Sequence, residues 1–278
     1  MSVDPAVVLR IASESVTQVI EHGLRREVER VGFHRVVLGL SGGLDSAVVA
    51  HLAVRTFGAE QVDLICMPAS TSNPESLAHG QLVAQGLGIE AIVQPIGPQI
   101  DLYFSDKPEA DAGRRGNKVA RERMTLLYDH SQAHHAMVLG TSNKTELLLG
   151  YSTLWGDSAC AIMPIGDLYK TQVRTLARFL GVPDVVIEKA PSADLWVGQT
   201  DEDELGFTYE AVDSLLYHLV ERRFRREPML ELGFRAEFVD EITRRMRTTQ
   251  FKRKLPVILK LSGRTIDRDF LYPRDWTG

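Results

Sequence analysis

Arg35-Val36-Val37-Leu38-Gly39-Leu40-Ser41-Gly42-Gly43-Leu44-Asp45-Ser46 (35–46) is the stretch that decides how the rest of the chain is read. A short apolar run closes on serine and glycine, and a helical pattern follows from Asp45 to about Thr56. In a parallel α/β sheet, ligands sit at the carboxyl ends of strands beside helix N-termini. The loop Gly39–Ser46 is therefore a candidate anion cradle. Glycines let the backbone bend tightly, successive N–H groups and the helix dipole attract negative charge, and Ser41 and Ser46 add hydroxyls. Asp45 would repel a phosphate unless it holds a divalent cation that bridges to it.

Three familiar loops compete with this reading. A Walker A loop requires GxxxxGK[ST], and no lysine follows these glycines. A GxGxxG dinucleotide fingerprint is absent; Gly86-Leu87-Gly88-Ile89-Glu90-Ala91 imitates one but leads into a strand rather than out of it. Gly39-Leu40-Ser41-Gly42-Gly43 does satisfy GxSxG, the nucleophile elbow of serine hydrolases. A hydrolase should also supply a late histidine and an HGG-type oxyanion segment. The last histidine is His218, and no such segment precedes Ser41.

Outward from the loop, strand candidates alternate with helices. VDLICMP (62–68), IEAIVQPI (89–96) and AMVLG (136–140) follow the first strand, with helical patterns over about 74–86 and 117–135. That alternation predicts a parallel sheet covered by helices on both faces. The first 30 residues show three- and four-residue apolar spacing and predict a helix. Residues 167–181 predict another, with Asp167 as N-cap and Gly181 closing it. A polar, acidic loop (191–206) and helices near 208–224 and 234–248 complete the chain. One domain is expected, with an N-terminal helix (1–33), an α/β core (34–190) and a helical extension (191–278).

The 278 residues are 44% hydrophobic and 25% charged, enough for a core without disulfides. A net charge of −5 argues against a whole-surface nucleic-acid binder. Cys66 and Cys160 form no CxxC pair, no secretion signal is visible, and no apolar run is long enough for a membrane span. A cytoplasmic protein is expected, with neither nucleic-acid nor membrane partners. Residues 221–254 nevertheless carry eleven Lys/Arg against six Asp/Glu. That stretch reads either as a solvated helix face or as a surface for a phosphate-bearing ligand or an acidic partner.

SGGLDS (41–46) resembles the pyrophosphate loop of N-type ATP pyrophosphatases, and four further blocks narrow the likeness. GTSNKTELLLGYSTLWGDSACAIMPIGDLYKTQVRTLARFLGVP (140–183), with KVARERM (118–124) before it, is similar to the NAD⁺ synthetase family. So are KAPSADLWVGQTDEDELGFTYEAVD (189–213) and FKRKLP (251–256). The resemblance implies a doubly wound parallel sheet like that of adenine nucleotide alpha hydrolases, with helical N- and C-terminal extensions. It also implies ATP and Mg²⁺ as cofactors, and deamido-NAD (nicotinate adenine dinucleotide) and ammonia as substrates in a homodimer.

By that resemblance, Gly39, Leu40, Ser41, Gly42, Gly43, Leu44, Asp45 and Ser46 bind ATP together with Thr141, Lys170 and Ser192. Asp45 and Glu146 hold the metal, and Arg121 and Lys252 contact deamido-NAD. Lys170 supplies a phosphate-facing charge, and Asp157 is a candidate for handling ammonia. Each has a plainer alternative: Glu146 as a first-turn helix acid, Thr141 as a cap, Arg121 as a solvated residue, and Trp155 and Trp196 as packing residues. His134, His135 and Cys160 read as structural. The chain departs from many family members at Leu154, Trp155, Ala161 and Phe251, where others carry Lys, Tyr, Asp and His. The resemblance runs from about residue 35 to 256 and leaves ends of only about 56 residues in total, too few for the amidase domain of glutamine-dependent enzymes, so free ammonia is the expected nitrogen donor. Another ATP pyrophosphatase adenylating a different acceptor, a nucleotide-binding regulatory module and a GxSxG hydrolase remain as alternatives.

Overall fold

The computed structural model describes residues 4–192, 194–196, 201, 206–254, 256–266 and 268–269. Much of the predicted acidic loop (191–206) lies outside the described residues. Four parallel strands, β1 (Arg35–Gly39), β2 (Val62–Cys66), β3 (Ile92–Val93) and β4 (Ala136–Val138), form a sheet in the order β3-β2-β1-β4. The chain crosses from β3 at one edge to β4 at the other, so the strand order switches beside β1. A crevice therefore opens at the carboxyl end of β1. Val36 pairs with Val62, and Val37 with Asp63 and Val138.

The strand period of two sends alternate side chains to opposite faces. Val36, Leu38 and Leu64 pack against the helices Ser13–Glu29, Leu44–Phe57, Pro74–Gly86 and Lys170–Leu180. Val37, Ile65 and Met67 pack on the other face against Gly97–Phe104 and Ala112–His134. The helices expected on both faces are thus present.

Several boundaries move for physical reasons. The predicted N-terminal helix is two helices, Pro5–Val8 and Ser13–Glu29. Leu9, between them, is buried with the C-terminal helices, whereas Leu24 and Val28 are buried against the sheet. Two cores thus divide one apolar spacing. The third strand shrinks to Ile92–Val93 because Pro95 has no N–H to give the ladder, although Gln94 and Ile96 still donate to Cys66 and Pro68. Asp167 is not the cap of its helix. That helix starts at Lys170, where the Gln172 side chain accepts from the Tyr169 N–H at 2.9 Å, and the exposed Asp167 pairs with Lys144.

A third apolar cluster joins the extension to the core. Tyr209, Val212, Leu215 and Leu216 of the helix Tyr209–Val220 pack with Leu9, Leu149, Tyr169, Met229, Val239 and Ile242. The helices Arg226–Glu231 and Ala236–Thr248 complete it. Arg253 closes the arrangement by donating to the carbonyls of Leu147 and Leu148. Among the described residues, no helix is long and apolar enough to cross a membrane.

Gly42 has the least room for a side chain among the described glycines. Its φ is +74°, and a Cβ there would lie 2.0 Å from the Ser76 carbonyl oxygen. Gly42→Ala is therefore expected to lower stability by at least about 2 kcal/mol in thermal denaturation. Gly86→Ala, with open space around the new Cβ, is expected to leave stability unchanged or raised by about 0.5 kcal/mol.

Candidate functional site

The crevice beside β1 holds a cavity of about 500 Å³. Its floor is Gly39, Leu40, Ser41, Gly43, Leu44, Asp45 and Ser46, the loop leading into the helix Leu44–Phe57. Ser46 Oγ donates to the Gly43 carbonyl, accepts from the Ser41 N–H and lies 3.0 Å from Ser41 Oγ. These bonds hold the turn in shape, while the first N–H groups of a helix have no partners within it. Gly42 alone of the predicted octet is absent from the cavity wall: it turns against Ser76 of the helix Pro74–Gly86.

Asp45 and Glu146 arrive from two helix N-termini and meet at Lys170. The helix Lys144–Leu149 is started by a capping box: Asn143 Oδ1 accepts the Glu146 N–H at 3.0 Å, and Glu146 Oε2 accepts the Asn143 N–H at 3.3 Å. The Asn143 amide then donates to Asp45 Oδ1 at 3.1 Å. Lys170, only 3% exposed, donates from Nζ to Asp45 Oδ2 and to Glu146 Oε1 at 3.3 Å, and faces the Tyr209 ring. Asp201 stands behind this group, held by the hydroxyls of Tyr151 at 3.1 Å and Tyr209 at 3.0 Å.

Three carboxylates thus surround one ammonium. Burial raises Glu146 well above the ordinary carboxylate range; Lys170 opposes that shift, and Asp45 and Asp201 reinforce it. Burial raises Asp201 too, against Lys170 and the two tyrosine hydroxyls. Although burial works against its charge, Lys170 is held above its usual range by Asp45 and Glu146. The site is short of positive charge, and its oxygen donors suit a hard cation. Among the described residues, no group of three or more such side chains could hold a metal by itself. A cation here would rest on Asp45 and Glu146 and complete its shell from substrate or water.

The other predicted residues divide. Thr141, Ser192, Asp157 and Lys252 line the cavity. Lys252 Nζ donates to the carbonyls of Gly150 (2.8 Å) and Ser152 (2.7 Å), and Asp157 accepts the Thr153 N–H at 2.7 Å, so both fasten the loop after Leu149. Arg121 does not line the cavity. Asn117, Ala120, Met124 and Leu127 form the inward face of their helix, which leaves Arg121 exposed and donating to the Leu154 carbonyl. Arg123 lines the wall instead, donating to the Met67 carbonyl and Ser72 Oγ. Trp196 lines the cavity, whereas Trp155, 47% exposed with φ +60°, is neither there nor in the core. Leu154 and Ala161 also stay outside the wall. Burial pushes both thiols, Cys66 and Cys160, up to about 11, the reverse of an activated nucleophile.

Sequence reasoning missed Arg123, Asn143, Lys189 and Asp201. Lys189 Nζ donates to Ser76 Oγ at 2.9 Å, beside the point where Gly42 touches that residue, and lines the cavity. The spacing of KVARERM offered two arginines, and Asn143 stands three residues before Glu146 as a capping box requires. No signal in the acidic loop singled out Asp201.

The model of the family described as NAD synthase matches residues 16–256. The NH(3)-dependent NAD(+) synthetase of Trichlorobacter lovleyi is 57% identical over 96% of this chain and 98% of its own. Among solved structures, the NMN synthetase of Francisella tularensis superposes with a TM-score of 0.79 at 30% identity, over 91% of this chain and all of that one. The NH3-dependent NAD synthetase of Campylobacter jejuni does so at 0.76 and 33%, over 90% of this chain and all of that one.

The raised carboxylates fix a pH dependence. A carboxyl whose folded pKa exceeds its unfolded one stabilises the fold below the unfolded value and loses that contribution as pH rises through the folded one. The protein without added ligands is therefore expected to melt at falling temperature as pH rises from about 4 past neutrality. Glu146→Gln is expected to flatten that slope, as read by calorimetry. An unchanged slope would contradict the burial of charge at Glu146.

Proposed function

The chain belongs to the NAD synthase family, and we propose that its cavity performs the two halves of an ammonia-dependent NAD⁺ synthetase reaction. The enzyme is a ligase forming a C–N bond, with ATP, deamido-NAD and ammonia as substrates. The observation that carries the site assignment is the convergence of Asp45, at the N-terminus that follows the glycine loop, with Glu146.

A nicotinate carboxylate oxygen attacks the α-phosphorus of ATP and pyrophosphate leaves. Ammonia then attacks the acyl carbon of the acyl-adenylate, and AMP leaves. Both nucleophile and electrophile of the first step are anionic, so the residues must neutralise charge and hold geometry rather than form bonds themselves. Mg²⁺ bound by Asp45 and Glu146 would supply that neutralisation as Lewis acid. The turn Ser41–Ser46 and the helix N-terminus beyond it receive the departing pyrophosphate, with Lys189 opposite. Lys170 holds the two carboxylates at one spacing. Thr141 and Ser192 contact ATP, Arg123 adds positive charge to the wall, and Lys252 and Asp157 order the loop that covers the nicotinate. Arg121, outside the wall, would reach a dinucleotide only beyond the cavity mouth.

The solved relative from Francisella tularensis is an NMN synthetase. A shorter mononucleotide acceptor is accordingly the reading to be tested against deamido-NAD. A homodimer is proposed as well: Leu102, Tyr103 and Tyr128 are exposed on the adjoining helices Gly97–Phe104 and Ala112–His134. Light scattering at twice the 31.0 kDa chain mass would support it, and a monomer would refute it.

Incubation with ATP, Mg²⁺, ammonium and deamido-NAD should yield AMP, pyrophosphate and NAD⁺ in equal amounts. Turnover with nicotinate mononucleotide alone would move the acceptor. Asp45→Asn and Glu146→Gln should each lower kcat at least about 100-fold without unfolding the chain, and Lys189→Met should lower kcat/KM for ATP about tenfold or more. Wild-type turnover in either carboxylate variant would remove the metal assignment.

A further inference from the structure

Asp213 lies within the helix Tyr209–Val220 and is fully buried. One of its carboxylate oxygens accepts the Thr145 hydroxyl at 2.5 Å, and the other accepts the Thr171 N–H at 2.8 Å. The Thr145 oxygen accepts the Lys170 N–H at 3.0 Å. Thr145 immediately precedes Glu146, and Thr171 immediately follows Lys170. A single carboxylate in the extension therefore takes up, directly or through one hydroxyl, the first two N–H groups of the helix Lys170–Leu180. It also grips the first turn of Lys144–Leu149.

A packing role does not account for this group. Leu215 and Leu216, on the same helix, are fully buried and join the extension to the core by apolar contact alone. Among the described residues, no lysine or arginine forms an ion pair with Asp213. An apolar side chain of similar volume would avoid the cost of burying a charge. Two helix N-termini facing one point do favour an anion there. What the carboxylate adds over an apolar residue is a fixed distance between the two first turns, those that carry Glu146 and Lys170.

We infer that Asp213 is a positioning residue that sets the spacing of Glu146 and Lys170, making the C-terminal extension part of the catalytic apparatus. This rests on the function proposed above, which assigns those two residues to the site. Asparagine at 213 keeps the volume but offers one acceptor oxygen where two donors converge. Valine at 145 keeps the shape and removes the relay hydroxyl, and serine at 145 restores it.

The test is steady-state synthesis of NAD⁺ well below the melting temperature, for wild type, Asp213→Asn, Thr145→Val, Thr145→Ser and Leu215→Ala. Asp213→Asn and Thr145→Val are expected to lower kcat about 10- to 100-fold, the usual loss when a residue orienting a site group is removed. The KM for deamido-NAD should stay within about twofold. Thr145→Ser should recover most of the rate. Leu215→Ala should melt earlier through its cavity yet keep a near-wild-type kcat. If Asp213→Asn fails to fold, the two Thr145 variants decide. Near-normal kcat in Thr145→Val, no recovery with serine, or an equal loss of kcat in Leu215→Ala would overturn the inference. An inactive wild type would instead overturn the proposed function itself.

Discussion

Lys170 holds its ammonium between Asp45 and Glu146, with Asp201 close behind, and the arrangement of the site follows from that group. An ammonium this deeply buried persists only if carboxylates offset its desolvation, and the carboxylates in turn require more positive charge than one lysine provides. The imbalance explains why each acid is fastened independently of the lysine: Asp45 by the Asn143 amide, Glu146 by its capping box, and Asp201 by two tyrosine hydroxyls. Fixed dipoles at a helix N-terminus suit a reaction in which anion meets anion, because nothing must reorganise as charge moves.

Three apolar cores flank this group. The two faces of the sheet set the carboxyl end of β1 and the glycine turn. The third cluster presses the helix Tyr209–Val220 onto the helices that start at Lys144 and Lys170. The extension is thus tied to the site on two levels, by burial of Tyr209 and its neighbours and by the hydrogen bonds that Asp213 and Asp201 accept. Arg253 and Lys252 add a third tie, donating to carbonyls at the end of the helix Lys144–Leu149 and just beyond it. The positive stretch at 221–254 is therefore partly structural: its last residues hold a loop, while Arg245 lines the cavity.

What proved legible was local. The turn Ser41–Ser46 announces itself because two glycines and small hydroxyl residues between an apolar run and a helix permit a tight turn that bulkier residues would not. The alternation of strands and helices follows from periodicity. Asp45 and Glu146 were marked as partners by the blocks that contain them, although 101 positions apart. What proved illegible depended on which way a helix faces or where a core divides. Arg121 and Arg123 stand two apart in one motif, and only the inward stripe of Asn117, Ala120, Met124 and Leu127 decides between them. Asp167 has the chemistry of a cap, yet Tyr169 occupies that place because it is buried in the third cluster.

The sheet, the phosphate-suited loop, the pair of metal-suited carboxylates and the family were legible in the residues alone, since each rests on spacing within a short segment or on blocks in fixed order. That Lys170 is held on the cavity wall between Asp45 and Glu146, that Lys189 faces the glycine turn, and that Asp201 and Asp213 reach in from the extension emerged only in the folded chain. Those outcomes depend on burial and on contacts between residues far apart in the chain, and no local pattern of residues encodes which charges a fold will enclose together.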